Sequence, residues 1–104
     1  MAIGGAAGWC AKISAKINGR WEATADREVY AKAGDRDMWL YVDQGGQWRV
    51  GRTASKDARR SGCWAHQAAR AGGGPPEAGP AVAWRVCDWK GFENQRLRVK
   101  HAGR

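Results

Sequence analysis

The sequence predicts an all-β fold: one small domain of about seven short antiparallel strands, forming a single sheet, a barrel-like fold or a compact sandwich with little helix. Short segments of alternating apolar residues recur at spacings of about 8–12 residues, with turn-forming residues between them. The length of 104 residues corresponds to one domain. Aliphatic residues are few, with three Ile, two Leu and six Val, so several of the seven Trp rings must fill the core.

The N-terminal third predicts short strands. Residues 1–10 are mostly Ala and Gly and form either a flexible arm or a first edge strand. The next residues alternate with the period of a half-buried strand: Ile13, Ala15, Ile17, Gly19 and Trp21. Asn18-Gly19 is a turn-prone pair, so this segment is one strand or two about a tight turn. We expect Trp21 in the core, and "REVYAKA" adds another short strand.

Residues 38–50, "MWLYVDQGGQWRV", form the clearest hairpin. Gly45-Gly46 suits a two-residue loop, because primed turns require positive φ. In that register Asp43 faces Trp48. Four residues then share one aromatic face: Trp39, Tyr41, Trp48 and Val50. We expect Trp39, Trp48 and Val50 in the core.

The C-terminal half alternates loops and strands. Residues 55–71 are tolerable helix formers, with Ser55 as a possible N-cap and Gly72 as a possible stop, but Gly62 and the lack of a large apolar stripe weaken that reading. The preferred interpretation is a basic loop over residues 54–62 before a strand "CWAHQA", and residues 71–80 are a Gly/Pro loop. "AVAWRVCD" then places Trp84 and Val86 in the core by its alternation, and "RLRVKH" turns Leu97 and Val99 inward.

The charge favours an anionic partner. Eighteen Lys and Arg against ten Asp and Glu give a net charge of +8 and a pI of about 10.0. The densest cluster contains five cations: Arg49, Arg52, Lys56, Arg59 and Arg60. A smaller group ends the chain: Arg96, Arg98, Lys100, His101 and Arg104.

The cysteines do not form a disulfide framework, because Cys10, Cys63 and Cys87 are odd in number and lack paired spacing. The first residues lack a secretory pattern, and no stretch approaches the about 18 apolar residues of a membrane helix. We therefore expect an intracellular, cytoplasmic protein.

Residues suited to catalysis or metal binding are sparse. Cys63 and His66 have Cys-x-x-His spacing and are a weak zinc candidate, since paired Cys-x-x-Cys ligands are missing. Buried, inert cysteines are the commoner case. The three glycines from Gly72 are not followed by the Lys-Ser/Thr of a phosphate loop. We expect neither enzymatic activity nor a cofactor.

The order of short motifs resembles a known kind of module. "INGRW", "VYAK", "WLYV", "WRVG", "GCWAHQA", "PPEAG" and "AWRVCDWKGF" follow one another over roughly residues 13–99. This layout is similar to a small Trp- and Gly-rich β-module found singly or as repeats in multidomain proteins of unicellular eukaryotes and algae, beside kinase, ubiquitin-ligase or scaffold regions. Asp88-Trp89-Lys90-Gly91-Phe92 departs from its usual Asp-Gly-Lys-Gly-Phe. The resemblance implies an accessory binding or assembly role.

These observations favour a non-catalytic interaction module, or a peripheral subunit of a larger complex, that binds an acidic protein surface through exposed aromatics and a sheet edge. The alternative is a single-stranded nucleic-acid-binding domain, with Trp rings stacking on bases and the basic cluster contacting phosphates. A second alternative is a glycan-binding module. The candidate binding residues are Trp89, Trp64, Arg49, Arg52, Lys56, Arg59 and Arg60.

Overall fold

Eight strands of the chain close into an antiparallel barrel in the computed structural model, which describes residues 1–6, 15–59, 64–72, 74–88 and 91–101. The strands are β1 (Ala2–Gly4), β2 (Gly19–Ala23), β3 (Val29–Lys32), β4 (Met38–Val42), β5 (Gln47–Arg52), β6 (Ala65–Arg70), β7 (Gly79–Asp88) and β8 (Gly91–Lys100). A short helix, α1 (Thr53–Asp57), follows β5, and residues 15–17 are helical.

Each strand pairs with the next along the chain, and β8 pairs with β1 to complete the ring. The predicted all-β fold is confirmed, as a barrel rather than an open sheet or a sandwich. It has eight strands instead of about seven, and β7 and β8 are ten residues each because they form one long hairpin. Among the described residues β1 pairs with residues 98–100 of β8, and the rest of β8 pairs with β7 on one side. The sheet edge as part of a contact surface stays a prediction.

Alternating side chains from every strand fill the barrel interior. Trp21, Trp48 and Trp84 are about 1% exposed and are the largest buried side chains, as an aliphatic-poor barrel requires. An eight-stranded barrel is just wide enough for side chains to fill its interior. The predicted core residues Val50 and Val86 lie in the same cluster.

The β4–β5 hairpin has a different register from the one predicted. Val42 pairs with Trp48, and the Asp43 and Gln47 backbones close a three-residue loop that ends at Gly46, whose φ is +82°. A shift of one residue exchanges the two faces of a strand. Trp39 therefore lies on the outer wall of the barrel, half-buried, and its predicted place in the core is wrong.

The N-terminal residues also depart from the alternation predicted for them. Of the two options for residues 1–10, residues 2–4 adopt the strand, but as the barrel-closing β1 rather than an edge; residues 7–10 lie outside the described chain. Residues 15–17 are helical, not extended. The helical turn buries Ile17 completely, and its carbonyl accepts a hydrogen bond from Trp21 Nε1 at 3.1 Å.

Helix α1 occupies part of the segment predicted as a basic loop. No side chain at the N-cap position, Arg52, hydrogen-bonds to the start of the helix. Instead, Asp37, the residue before β4, accepts a hydrogen bond from the Thr53 backbone N–H to its Oδ1 at 3.0 Å. This hydrogen bond lowers the pKa of Asp37. Contacts from another part of the sequence thus fix a helix that local sequence does not predict.

Candidate functional site

Two half-buried Trp rings beside β5 carry cations above them: Trp39 lies on the outer wall of the barrel, and Trp64 packs in part against the core. Trp39 on β4 and Trp64 before β6 lie on either side of β5: Trp39 pairs with Gly51, and the Trp64 N–H donates to the neighbouring Val50 carbonyl. Strands lie about 4.7–4.9 Å apart, so the two residues are roughly two strand spacings from each other. The register of β5 therefore brings together rings that are far apart in sequence.

The cations lie within contact distance of these rings. Lys56 Nζ is 4.2 Å from the Trp39 ring centroid and also pairs with Asp57 Oδ1 at 2.8 Å. Lys16 Nζ and Arg52 Cζ are 5.1 and 5.6 Å from that of Trp64. Each such contact contributes about 0.5–1 kcal/mol at an exposed position. We call this group the Trp–cation patch, and it consists of Lys16, Trp39, Arg52, Lys56 and Trp64.

A shallow depression of about 450 Å³ adjoins the patch. Val29 and Trp39 contribute apolar surface to it, and Lys56 lies at its side. Its remaining lining residues are Thr24, Ala25, Asp26, Asp57 and Arg59. The depression is large enough to receive an apolar side chain next to the cations.

Arg49, predicted to bind phosphate, belongs to a buried polar network. Its Nε donates to Asp43 Oδ2, its Nη2 donates to Gln47 Oε1 at 3.2 Å, and its Nη1 lies 3.3 Å from His66 Nδ1. Its side chain is 11% exposed and that of Asp43 is 3% exposed. Burial alone would raise the pKa of Asp43, but hydrogen bonds from the Gln47 backbone and from Arg49 lower it overall. Arg49 therefore acts within the fold.

Arg59 is likewise engaged within the protein. Its Nη2 forms an ion pair with Asp26 at 2.8 Å, and its Nη1 donates to the Val42 and Glu28 carbonyls at 3.1 and 3.4 Å. These contacts tie the segment after α1 to the β2–β3 loop and to β4. The cluster predicted from the sequence is thereby divided, because Arg52 and Lys56 join the Trp–cation patch while Arg49 and Arg59 stabilise the fold.

Three predicted residues lie outside the described residues: Arg60, Cys63 and Trp89. His66, the other half of the weak zinc candidate, lies between Arg49 and Arg85 in the register of the sheet. Among the described residues no three His, Cys, Asp or Glu side chains group to hold a metal ion.

The arrangement of His66 predicts a loss of stability in mild acid. Burial lowers its pKa below the usual 6.5, and the charges of Arg49 and Arg85 lower it further against the smaller opposing effect of Asp43. Neutral Nδ1 can accept from Arg49, whereas a protonated ring cannot. The unfolded chain therefore binds the proton more readily, so stability is complete above about pH 6.5 and falls as the pH drops to the lowered pKa.

Urea unfolding between about pH 7 and pH 5 measures this effect, with His66→Gln as the comparison, since glutamine keeps an acceptor and does not titrate. The wild-type midpoint should fall across this interval and the variant midpoint should stay flatter. The lowered pKa of Asp43 lies below 3.8, outside the interval. Parallel curves for both proteins would show that His66 is not the titrating group.

One patch residue, Lys16, is not among the binding candidates from the sequence, and Trp39 belongs to a hairpin face that is a candidate contact surface but for which the sequence favours the core. Lys16 is far from Trp64 along the chain and reaches it through the helical turn at residues 15–17. Trp39 was assigned to the core because of the two-residue loop. Three-residue hairpin loops favour Gly at their last position, and this was the one signal that could have placed Trp39 on the outer wall of the barrel.

Among the described residues no helix is long and apolar enough to cross a membrane. Compared with family models, with curated proteins and with solved structures, the chain gives no match. The protein is classed by its own geometry as an eight-stranded antiparallel barrel with a Trp–cation patch beside β5.

Proposed function

We propose that the protein is a non-catalytic interaction module that binds an acidic protein surface through the Trp–cation patch. The observation that carries this proposal is the placement of Lys16, Arg52 and Lys56 on two half-buried Trp rings. Trp, Tyr and Arg are the residue types that contribute most to interface energies. The resemblance to Trp- and Gly-rich accessory modules implies the same role within a larger assembly, and we also propose that the protein acts in the cytoplasm.

The occupied ring faces favour an acidic protein over single-stranded nucleic acid. A base that stacks on Trp39 or Trp64 must first displace a cation, whereas a partner's carboxylate can pair with Arg52 where it lies over Trp64. The depression beside Trp39 also accepts an apolar side chain, which suits a protein partner. Two of the expected phosphate contacts, Arg49 and Arg59, are engaged within the fold.

We expect the double variant Arg52→Ala/Lys56→Ala to bind a fluorescently labelled glutamate-rich peptide with one aromatic residue about tenfold more weakly than the wild type. The loss corresponds to about 1.4 kcal/mol, within the range for interface residues. Fluorescence anisotropy measures it. The matched control is Arg96→Ala/Arg98→Ala, which removes the same charge from exposed positions on β8.

Equal losses in both double variants would indicate a general charge effect and contradict the assignment to the patch. A labelled single-stranded oligonucleotide tests the alternative. If Arg52→Ala/Lys56→Ala weakens binding of the oligonucleotide but not of the peptide, binding of single-stranded nucleic acid replaces binding of an acidic protein as the function of the patch.

A further inference from the structure

A second set of cations lies on the outer face of β8 and its neighbours. Leu97 and Val99 are buried in the core, and the alternate residues Arg96, Arg98 and Lys100 are exposed. Residues two apart on an antiparallel strand are about 6.8 Å apart, so the Cα atoms of the three basic residues span about 14 Å. The alternation of the strand thus converts "RLRVK" into a straight basic row.

Arg20 and Arg85 extend this row across the sheet. Ala2 of β1 pairs with Lys100 on one side and with Arg20 of β2 on the other, so Arg20 lies two strands from Lys100. Arg85 on β7 pairs with Asn94, whose Oδ1 accepts from Arg85 Nε at 3.2 Å. We call these five exposed cations the β8 stripe: Arg20, Arg85, Arg96, Arg98 and Lys100.

The flanking positions carry very small side chains. Arg96 pairs with Ala83, Arg98 with Gly4 and Lys100 with Ala2. The Arg98 guanidinium lies over Gly4, where a Cβ atom would come within 2.7 Å of Nη2. Side chains beside the stripe therefore do not obstruct a broad, flat partner.

The charges of the stripe are not neutralised by described acids. Glu22 lies two residues beyond Arg20, and Glu93 pairs with Val86 near the β7–β8 turn. Within the described part of the chain, neither these nor other carboxylates come within ion-pair distance of the five cations. The stripe is therefore a continuous positive surface.

The β8 part of the stripe lies across the barrel from Trp39. In the closed ring β4 is four strands from β8, which places Trp39 opposite Arg96, Arg98 and Lys100. Arg85 is nearer to the other patch ring, because it pairs with His66 on β6, two residues after Trp64. A partner on Trp39 therefore leaves the three β8 cations accessible.

The chemistry of the stripe selects a phosphate backbone over an acidic protein. Protein interfaces depend on large apolar and aromatic anchors at their centre. The described residues between the cations are Ala and Gly, and the described outward side chains of the stripe include no ring on which an unpaired base could stack. Phosphates of one duplex strand advance about 3.4 Å along the axis, so cations about 6.8 Å apart reach different phosphates.

We propose that the β8 stripe binds the backbone of double-stranded nucleic acid independently of its sequence. The binding is electrostatic, through charge on a rigid strand rather than contacts to base edges. This second surface is distinct from the one in the proposed function, so the two can fail separately.

Anisotropy of a labelled DNA duplex, titrated at several salt concentrations, tests the proposal. Arg96→Ala/Arg98→Ala should bind about tenfold more weakly than the wild type, and the slope of log K against log salt should become shallower by about two. Arg96→Lys/Arg98→Lys should retain binding, because a backbone contact depends on charge. Arg52→Ala/Lys56→Ala is the charge-matched control and should bind the duplex like the wild type.

Three results would overturn the proposal. The first is a wild-type protein that does not bind the duplex at low salt. The second is an equal loss in both double-alanine variants, which indicates net charge alone. The third is a loss of glutamate-rich peptide binding, but not duplex binding, in Arg96→Ala/Arg98→Ala, which assigns the stripe to an acidic protein. Circular dichroism of each variant checks that the barrel is intact.

Discussion

Replacing Trp84 with alanine should lower the free energy of unfolding by about 3–5 kcal/mol, a large fraction of the about 5–15 kcal/mol that is typical of a domain. Trp84 is about 1% exposed and lies among the inward-facing residues of β7. With so few aliphatic residues, the barrel has little other volume with which to fill the space. Urea unfolding followed by circular dichroism measures the loss.

Two controls separate the loss of volume from other effects. Arg85→Ala, at the exposed neighbouring position of the same strand, should change stability by no more than about 0.5 kcal/mol. Trp84→Phe should cost less than alanine, because it keeps one ring and removes an indole N–H that has no hydrogen-bond partner among the described residues. A cost below about 1 kcal/mol for Trp84→Ala would be inconsistent with its place in the core.

The second large effect is expected at Asp43. Asp43→Asn should destabilise the protein by about 3–5 kcal/mol, because it leaves the guanidinium of Arg49 buried without its counter-charge. The carboxylate has two roles: Oδ1 accepts the Gln47 backbone N–H at 3.0 Å, and Oδ2 accepts from Arg49. Asparagine can keep the first role but loses the charge that the second requires.

A double-mutant cycle with Arg49→Met isolates the pair. The double variant should cost less than the sum of the single variants, because the uncompensated charge disappears with Arg49. The cycle requires the free energies of unfolding of the wild type, the two single variants and the double variant, measured by urea titration at pH 7. Additive costs would show that the two side chains do not interact.

The residues inside the barrel were predictable where apolar and polar side chains alternate clearly along a strand. Val86 and Trp84 on β7, and Leu97 and Val99 on β8, face inward as their spacing predicts. Closure was not predictable, because it depends on the pairing of β1 with β8, which the pattern of a single strand does not encode. A sheet, a barrel and a sandwich share the same alternation.

The candidate site was predictable only in part, because charge in a sequence does not distinguish free from paired side chains. Arg49, Arg52, Lys56 and Arg59 form one cluster along the chain, yet their surroundings differ. Arg49 and Arg59 pair with Asp43 and Asp26, which are distant in sequence, while Arg52 and Lys56 lie on Trp rings and Lys56 also pairs with its neighbour Asp57. The register of the β4–β5 hairpin could not be predicted from its sequence either. Gly45-Gly46 permits two registers, and the hydrogen bonds of Asp43 select one.

The pairing of β1 with β8 also sets the order of events during synthesis. Residues 2–4 emerge from the ribosome early, but their partners in β8 are residues 98–100. Until residues 98–100 have been synthesised, the N–H and C=O groups of β1 that will bond to β8 have no partner. Unpaired backbone groups of this kind can pair with other chains. The last seam of the barrel therefore forms only once almost the whole described chain has been translated.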